Sequence, residues 1–103
     1  MLIVEDRLDR SSERNAYVID DDGEVRQSLH FLLGTSHIRA WPFTTAEDFL
    51  DLLPNLAPAP ILLDLRMPRM DGIQLLQELK DRDISWPVIM MSAHGDFATG
   101  GRS

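Results

Sequence analysis

The chain has no cysteine in 103 residues, so disulfides and thiolate metal sites are excluded outright and a reducing compartment is favoured. Lysine is almost as scarce. Lys80 is the only one, and ten basic residues face seventeen acidic ones for a formal net charge of -7. A nucleic-acid binder needs a basic face to displace phosphate counterions, so direct nucleic-acid binding is not expected. No apolar run approaches the ~20 residues that span a bilayer. The N-terminus also lacks the charged-then-apolar layout of a signal peptide, so no membrane association is expected. Internal repeats and low-complexity segments are absent. What remains is 44% hydrophobic, enough for a globular core and too much for a disordered chain. The length allows one small domain, and the expectation is an acidic, cytoplasmic one.

Hydropathy patterning orders the chain into alternating strands and helices. Residues 1–15 open with Leu2-Ile3-Val4 and then turn charged, which reads as a leader. Ala16-Tyr17-Val18-Ile19 is an unalternating apolar run, as expected of a parallel strand buried on both faces, and it stops at Asp20-Asp21-Asp22-Gly23. Asp22 is placed to cap a helix from about Gly23 to Leu33, with Val25, Leu29, Leu32 and Leu33 on one face. HIRAW at 37–41 reads as a second strand closed by Pro42. Thr44 or Thr45 then caps a helix, with Glu47 or Asp48 placed for a capping box and Phe49, Leu50, Leu52 and Leu53 as its apolar face. Ile61-Leu62-Leu63 is a third strand ending on Asp64. A loop follows, then a helix from about Ile73 to Lys80 with Ile73, Leu76 and Leu79 toward the core. Val88 to Met91 is a fourth strand ending at Ser92. Strands alternating with helices predict βαβ units and a doubly wound parallel α/β sheet. Residues 97–103 are small, polar and glycine-rich, and read as a tail.

Ligands of such sheets bind at the carboxyl ends of the strands, where strand order reverses. The first strand ends at Asp20-Asp21, the third at Asp64 and the fourth at Ser92. If the first and third are neighbours, three carboxylates converge and need a cation or shared protons. Oxygen-only ligands select a hard ion, and Mg²⁺ suits a site shared with phosphate oxygens. A carboxylate beside such an ion can attack phosphorus to give an acyl phosphate. The pattern points to Asp64 as nucleophile, Asp20 and Asp21 as metal ligands, and the Ser92 hydroxyl as a phosphoryl hydrogen-bond donor. Singly, each aspartate has a plainer reading as a helix cap or turn residue, which Asp22 keeps. Met90 and Met91 read as core, His30 and His37 as surface, and Ser92 has no His–Asp partners for hydrolase chemistry.

These segments, YVIDDD at 17–22, ILLDLRMPRMDG at 61–72 and PVIMMSAHGD at 87–96, resemble the receiver domain of bacterial two-component response regulators. The SAHGD ending is most similar to receivers that carry LuxR-type output domains. The resemblance covers residues 16–96. It implies a flavodoxin-like receiver fold and a phosphoacceptor role for Asp64, with Mg²⁺ held by Asp20, Asp21, Asp64 and the backbone carbonyl of Arg66. It also implies a switch hydroxyl at Ser92, Arg66 and His94 at the mouth of the site, and a histidine kinase or phosphotransfer protein as partner. Leu2-Ile3-Val4-Glu5-Asp6 resembles a receiver start as well, but no helical apolar face follows Asp6.

The family continues past the fourth strand with a helix, a strand ending in lysine and proline, and a final helix. This sequence shows no such helix-strand-helix portion, and Lys80 lies far from the strand ends. The expectation is a receiver truncated after its fourth strand, a phosphoacceptor signalling domain rather than an enzyme. The alternative is a non-switching interaction module that binds metal and does not signal by phosphorylation. With Val88 to Met91 left as an apolar edge, a homodimer with its two-fold axis near that strand is expected.

Overall fold

Local chemistry sets the element boundaries in the computed structural model, which describes residues 14–91. β1 (Arg14–Ile19) runs into the acidic loop, and it begins two residues inside the expected leader. Asp22 caps α1 (Gly23–Gly34) by accepting from the Glu24 N–H. β2 (Ile38–Phe43) follows a turn in which His37 takes φ 61°. Thr45, one of the two predicted caps, accepts from the Asp48 N–H and starts α2 (Ala46–Leu52), and a 3-10 turn (Leu53–Asn55) follows. β3 (Ile61–Asp64) leads through a loop to α3 (Gly72–Asp81), and β4 (Val88–Met91) completes the described elements. Among the described residues no helix is long and apolar enough to cross a membrane.

The sheet order is β2-β1-β3-β4 with every pair parallel, so the predicted α/β sheet is the one observed. Strand order reverses between β1 and β3. One face of the sheet holds the core: Tyr17, Ile19, Ile61 and Leu63 meet Phe49 and Leu50 of α2 and Leu75 and Leu79 of α3. Tyr17, Phe43, Phe49 and Trp86 stack or meet edge-on within it, and the Tyr17 hydroxyl donates to the Ala57 carbonyl at 2.6 Å. The other face carries α1. Along it Val18 pairs with Leu62 and Leu62 with Ile89, and exposure climbs from 1% at Val18 to 54% at Ile89. A groove of about 500 Å³ opens there, lined by Leu33, Ile38, Pro58, Ala59, Leu62 and Ile89 among others.

Four expectations are corrected. Pro42 does not close β2, which continues to Phe43. β2 is the outer strand and pairs only with β1, so a missing N–H on its free side costs nothing. In α3 the core residues are Leu75 and Leu79, while Ile73 is 55% exposed and Leu76 half-buried. In α2 the core face is Ala46, Phe49 and Leu50, continued by Leu53, and Leu52 is exposed. Helix α1 buries none of its residues, and its predicted core residue Leu32 is exposed beside Phe31.

Candidate functional site

The first residue after β1 and the last residue of β3 meet at the reversal of strand order, the edge where sheets of this kind bind ligands. There Asp20, Asp21 and Asp64 each offer one carboxylate oxygen, and these oxygens lie within 4.8 Å of one another. Asp20 and Asp64 are each 1% exposed, whereas Asp21 is exposed. The grouping is the one the sequence predicts.

Backbone N–H groups aim the two buried carboxylates. Asp20 Oδ1 accepts from the Asp22 N–H at 2.9 Å, and Asp64 Oδ1 accepts from the Arg66 N–H at 3.1 Å. Asp20 Oδ2 is buried with no hydrogen-bond partner among the described residues. Burial first, and then the neighbouring Asp64 carboxylate, push the Asp20 carboxyl up to about 6, against the opposing hydrogen bond from Asp22. An orphaned buried oxygen inside an all-carboxylate donor set is what a hard divalent cation relieves, so these residues fit such an ion.

Two features of the site went unread in the sequence. Gly72 lets α3 press onto the end of β3. A Cβ there would lie 2.6 Å from the Asp64 carbonyl oxygen and 3.0 Å from Leu65 Cα. Its N–H donates to the Leu65 carbonyl at 3.1 Å, which holds the loop beneath Asp64. Asp71 caps α3 in a full capping box with Gln74, and that spacing of an acid three before a Gln was there to be read. The second feature is Arg26, whose Nη1 donates to the Asp20 carbonyl at 2.7 Å. Of the remaining predicted residues, Arg66 sits two past Asp64 with an exposed side chain. Ser92 and His94 lie outside the described residues, as do the tail and most of the leader. The backbone does carry β4 to the same edge: the Leu65 N–H donates to the Met91 carbonyl at 3.0 Å.

Comparison with known proteins agrees with this geometry. The family model for the response regulator receiver domain matches residues 16–102. The transcriptional regulatory protein FixJ of Bradyrhizobium diazoefficiens is 41% identical over 86 residues, covering 84% of this chain and 42% of that protein. Full-length FixJ from B. japonicum superimposes with a TM-score of 0.75 at 41% identity, again over 84% of this chain and 42% of that one. The beryllofluoride-activated NtrC receiver domain superimposes with a TM-score of 0.68 at 35% identity, over 84% of this chain and 71% of that one. This chain therefore spans under half the length of the FixJ proteins it matches. These similarities are to a signalling domain rather than to a classical enzyme, and they lend no support to a non-signalling interaction module.

Proposed function

This chain belongs to the response regulator receiver domain family, and on that premise we propose that it accepts a phosphoryl group on Asp64 from a histidine kinase or phosphotransfer protein. The observation that carries the reading is the convergence of Asp20, Asp21 and Asp64 within 4.8 Å at the switch point of the sheet. The finer reading, a FixJ-like receiver of the LuxR-type output class covering residues 16–96, is supported by the 41% identity to FixJ.

In the proposed transfer, an Asp64 carboxylate oxygen attacks phosphorus of a phosphohistidine. The O–P bond forms as the N–P bond breaks, the imidazole leaves taking a proton, and Asp64 becomes an acyl phosphate. The Arg66 N–H fixes one Asp64 oxygen, so the attacking lone pair is presented in a constant direction. Asp20, Asp21, Asp64 and the Arg66 carbonyl would hold Mg²⁺, which neutralises the gathered carboxylates and the phosphoryl oxygens. Ser92 is assigned the hydroxyl that donates to the phosphoryl group. Arg66 and His94 are assigned the mouth of the site, where they govern water's access to the acyl phosphate.

Self-association is proposed through β4, the outer strand of the described sheet. Ile89, 54% exposed beside an α1 with no buried residue, and Met90, 36% exposed on the opposite sheet face, support a second copy as their cover.

Incubation with acetyl phosphate and Mg²⁺ tests the main proposal. An intact-mass increase of one phosphoryl group is expected in the parent and none in Asp64→Asn. Equal labelling of the variant would overturn the assignment of the nucleophile, and an unlabelled parent would overturn the phosphoacceptor reading itself.

A further inference from the structure

The backbone of Asp20 stands at the junction between sheet and helix, and its two polar groups are tied in different ways. Its N–H donates to the Phe43 carbonyl at 3.1 Å, a bond that continues the β1–β2 pairing. Its carbonyl lies past the last β1–β3 pair, Ile19 with Leu63, and is bonded instead by Arg26 Nη1 at 2.7 Å. Arg26 is anchored in turn, because its N–H donates to the carbonyl of the α1 cap Asp22 at 3.1 Å. The guanidinium folds back across Gly23, where a Cβ would lie 3.3 Å from Arg26 Nη2. Its stem lines a cleft of about 240 Å³ with Val18, Gln27, His30 and Pro42.

We propose that Arg26 is a positioning residue for the metal site: by holding the Asp20 carbonyl it fixes the aim of the Asp20 carboxylate at Asp64. The inference rests on reading Asp20, Asp21 and Asp64 as a cation site. A bond from a charged donor to a carbonyl is shorter and stronger than a neutral one. Without it a buried carbonyl loses its partner, and the peptide that carries Asp20 keeps only its sheet tether. Bonds one step removed from a metal commonly set its affinity by ten- to a hundredfold. Sequence spacing could not reveal this one, since the acceptor is a main-chain oxygen six residues back.

The test is titration of the full chain with Mg²⁺, and separately Mn²⁺, by calorimetry at a temperature where circular dichroism shows each variant folded. Arg26→Ala is expected to bind about tenfold more weakly. Arg26→Lys keeps a charged donor on a long stem and is expected to recover affinity to within about threefold of the parent. Gln27→Ala, in the same cleft, is expected to bind as the parent does. A role confined to holding the fold would lower the melting temperature of Arg26→Ala and leave the affinity of the folded protein unchanged. Folded Arg26→Ala binding within about twofold of the parent overturns the proposal. Should Arg26→Ala fail to fold, Arg26→Gln and Arg26→Lys decide it: lysine binding more tightly than glutamine supports the proposal, and parent-like affinity in both overturns it. A parent that binds neither ion overturns the site reading itself, an outcome distinct from parent-like binding by the variants.

Discussion

Asp20→Asn without metal should make the protein more stable at neutral pH, although it removes a residue of the site. The Asp20 carboxyl is pushed up from 3.8 to about 6, first by burial and then by Asp64. Each unit of such a shift is worth about 1.4 kcal/mol, so the ionised group costs the folded state on the order of 3 kcal/mol. The sign follows from the direction: because the folded value is the higher, the contribution is fully favourable below about 4. It is lost as pH rises from about 4 to about 6, and stays lost above. Asparagine keeps the shape and can still accept from the Asp22 N–H as Asp20 Oδ1 does at 2.9 Å. Its amide can donate toward Asp64 with no charge to strand.

At pH 7.5 in EDTA the variant should therefore melt at least ~12 °C above the parent, taking ~4–8 °C per kcal/mol for a domain of this size. Near pH 4 the two should melt together. Added Mg²⁺ should reverse the ranking once it reaches about a thousandfold excess over the dissociation constant, which stabilises the parent by about 4.1 kcal/mol and the variant by much less. Melts followed by circular dichroism over these three conditions give the answer. A variant no more stable than the parent at pH 7.5 in EDTA would refute the argument from a stranded buried charge. An equal Mg²⁺ shift in both would refute the role of Asp20 as a ligand.

Three further outcomes are expected. Gly72→Ala forces a Cβ to within 2.6 Å of the Asp64 carbonyl oxygen, so urea unfolding should show a loss of about 1–3 kcal/mol, and the variant should label more slowly with acetyl phosphate. Asp71→Ala removes the cap of α3 and should cost about 1 kcal/mol in the same assay, leaving Mg²⁺ affinity within about twofold of the parent. Ile89→Lys puts a charge on a side chain already 54% exposed, so it should leave the monomer folded and abolish self-association in sedimentation. A parent that sediments as a monomer at micromolar concentration would sink the dimer proposal.

The strands and the acidic cluster were legible because parallel strands write themselves as short apolar runs, and carboxylates at the ends of β1 and β3 mark the same edge of the sheet. The helices were less so, for a reason visible in α3. Ile73, Leu75, Leu76 and Leu79 support two overlapping apolar faces, and periodicity alone does not choose between them. The rotation is settled by Gly72, which presses against Asp64 and Leu65, turns Leu75 and Leu79 onto the sheet and leaves Ile73 outside. A tertiary contact of a residue with no side chain thus decides which side chains of its helix are core. Arg26 escaped notice because it answers a carbonyl, and every residue has one. Helix α1 marks a further limit. Val25, Leu29 and Leu33 form the stripe that the spacing predicts, each half-buried, yet no residue of the helix is buried. An apolar stripe records which side of a helix needs cover, and the cover itself must come from elsewhere. On this face the described sheet offers Val18 and Leu62 close to α1 and the open row toward Ile89 beyond it.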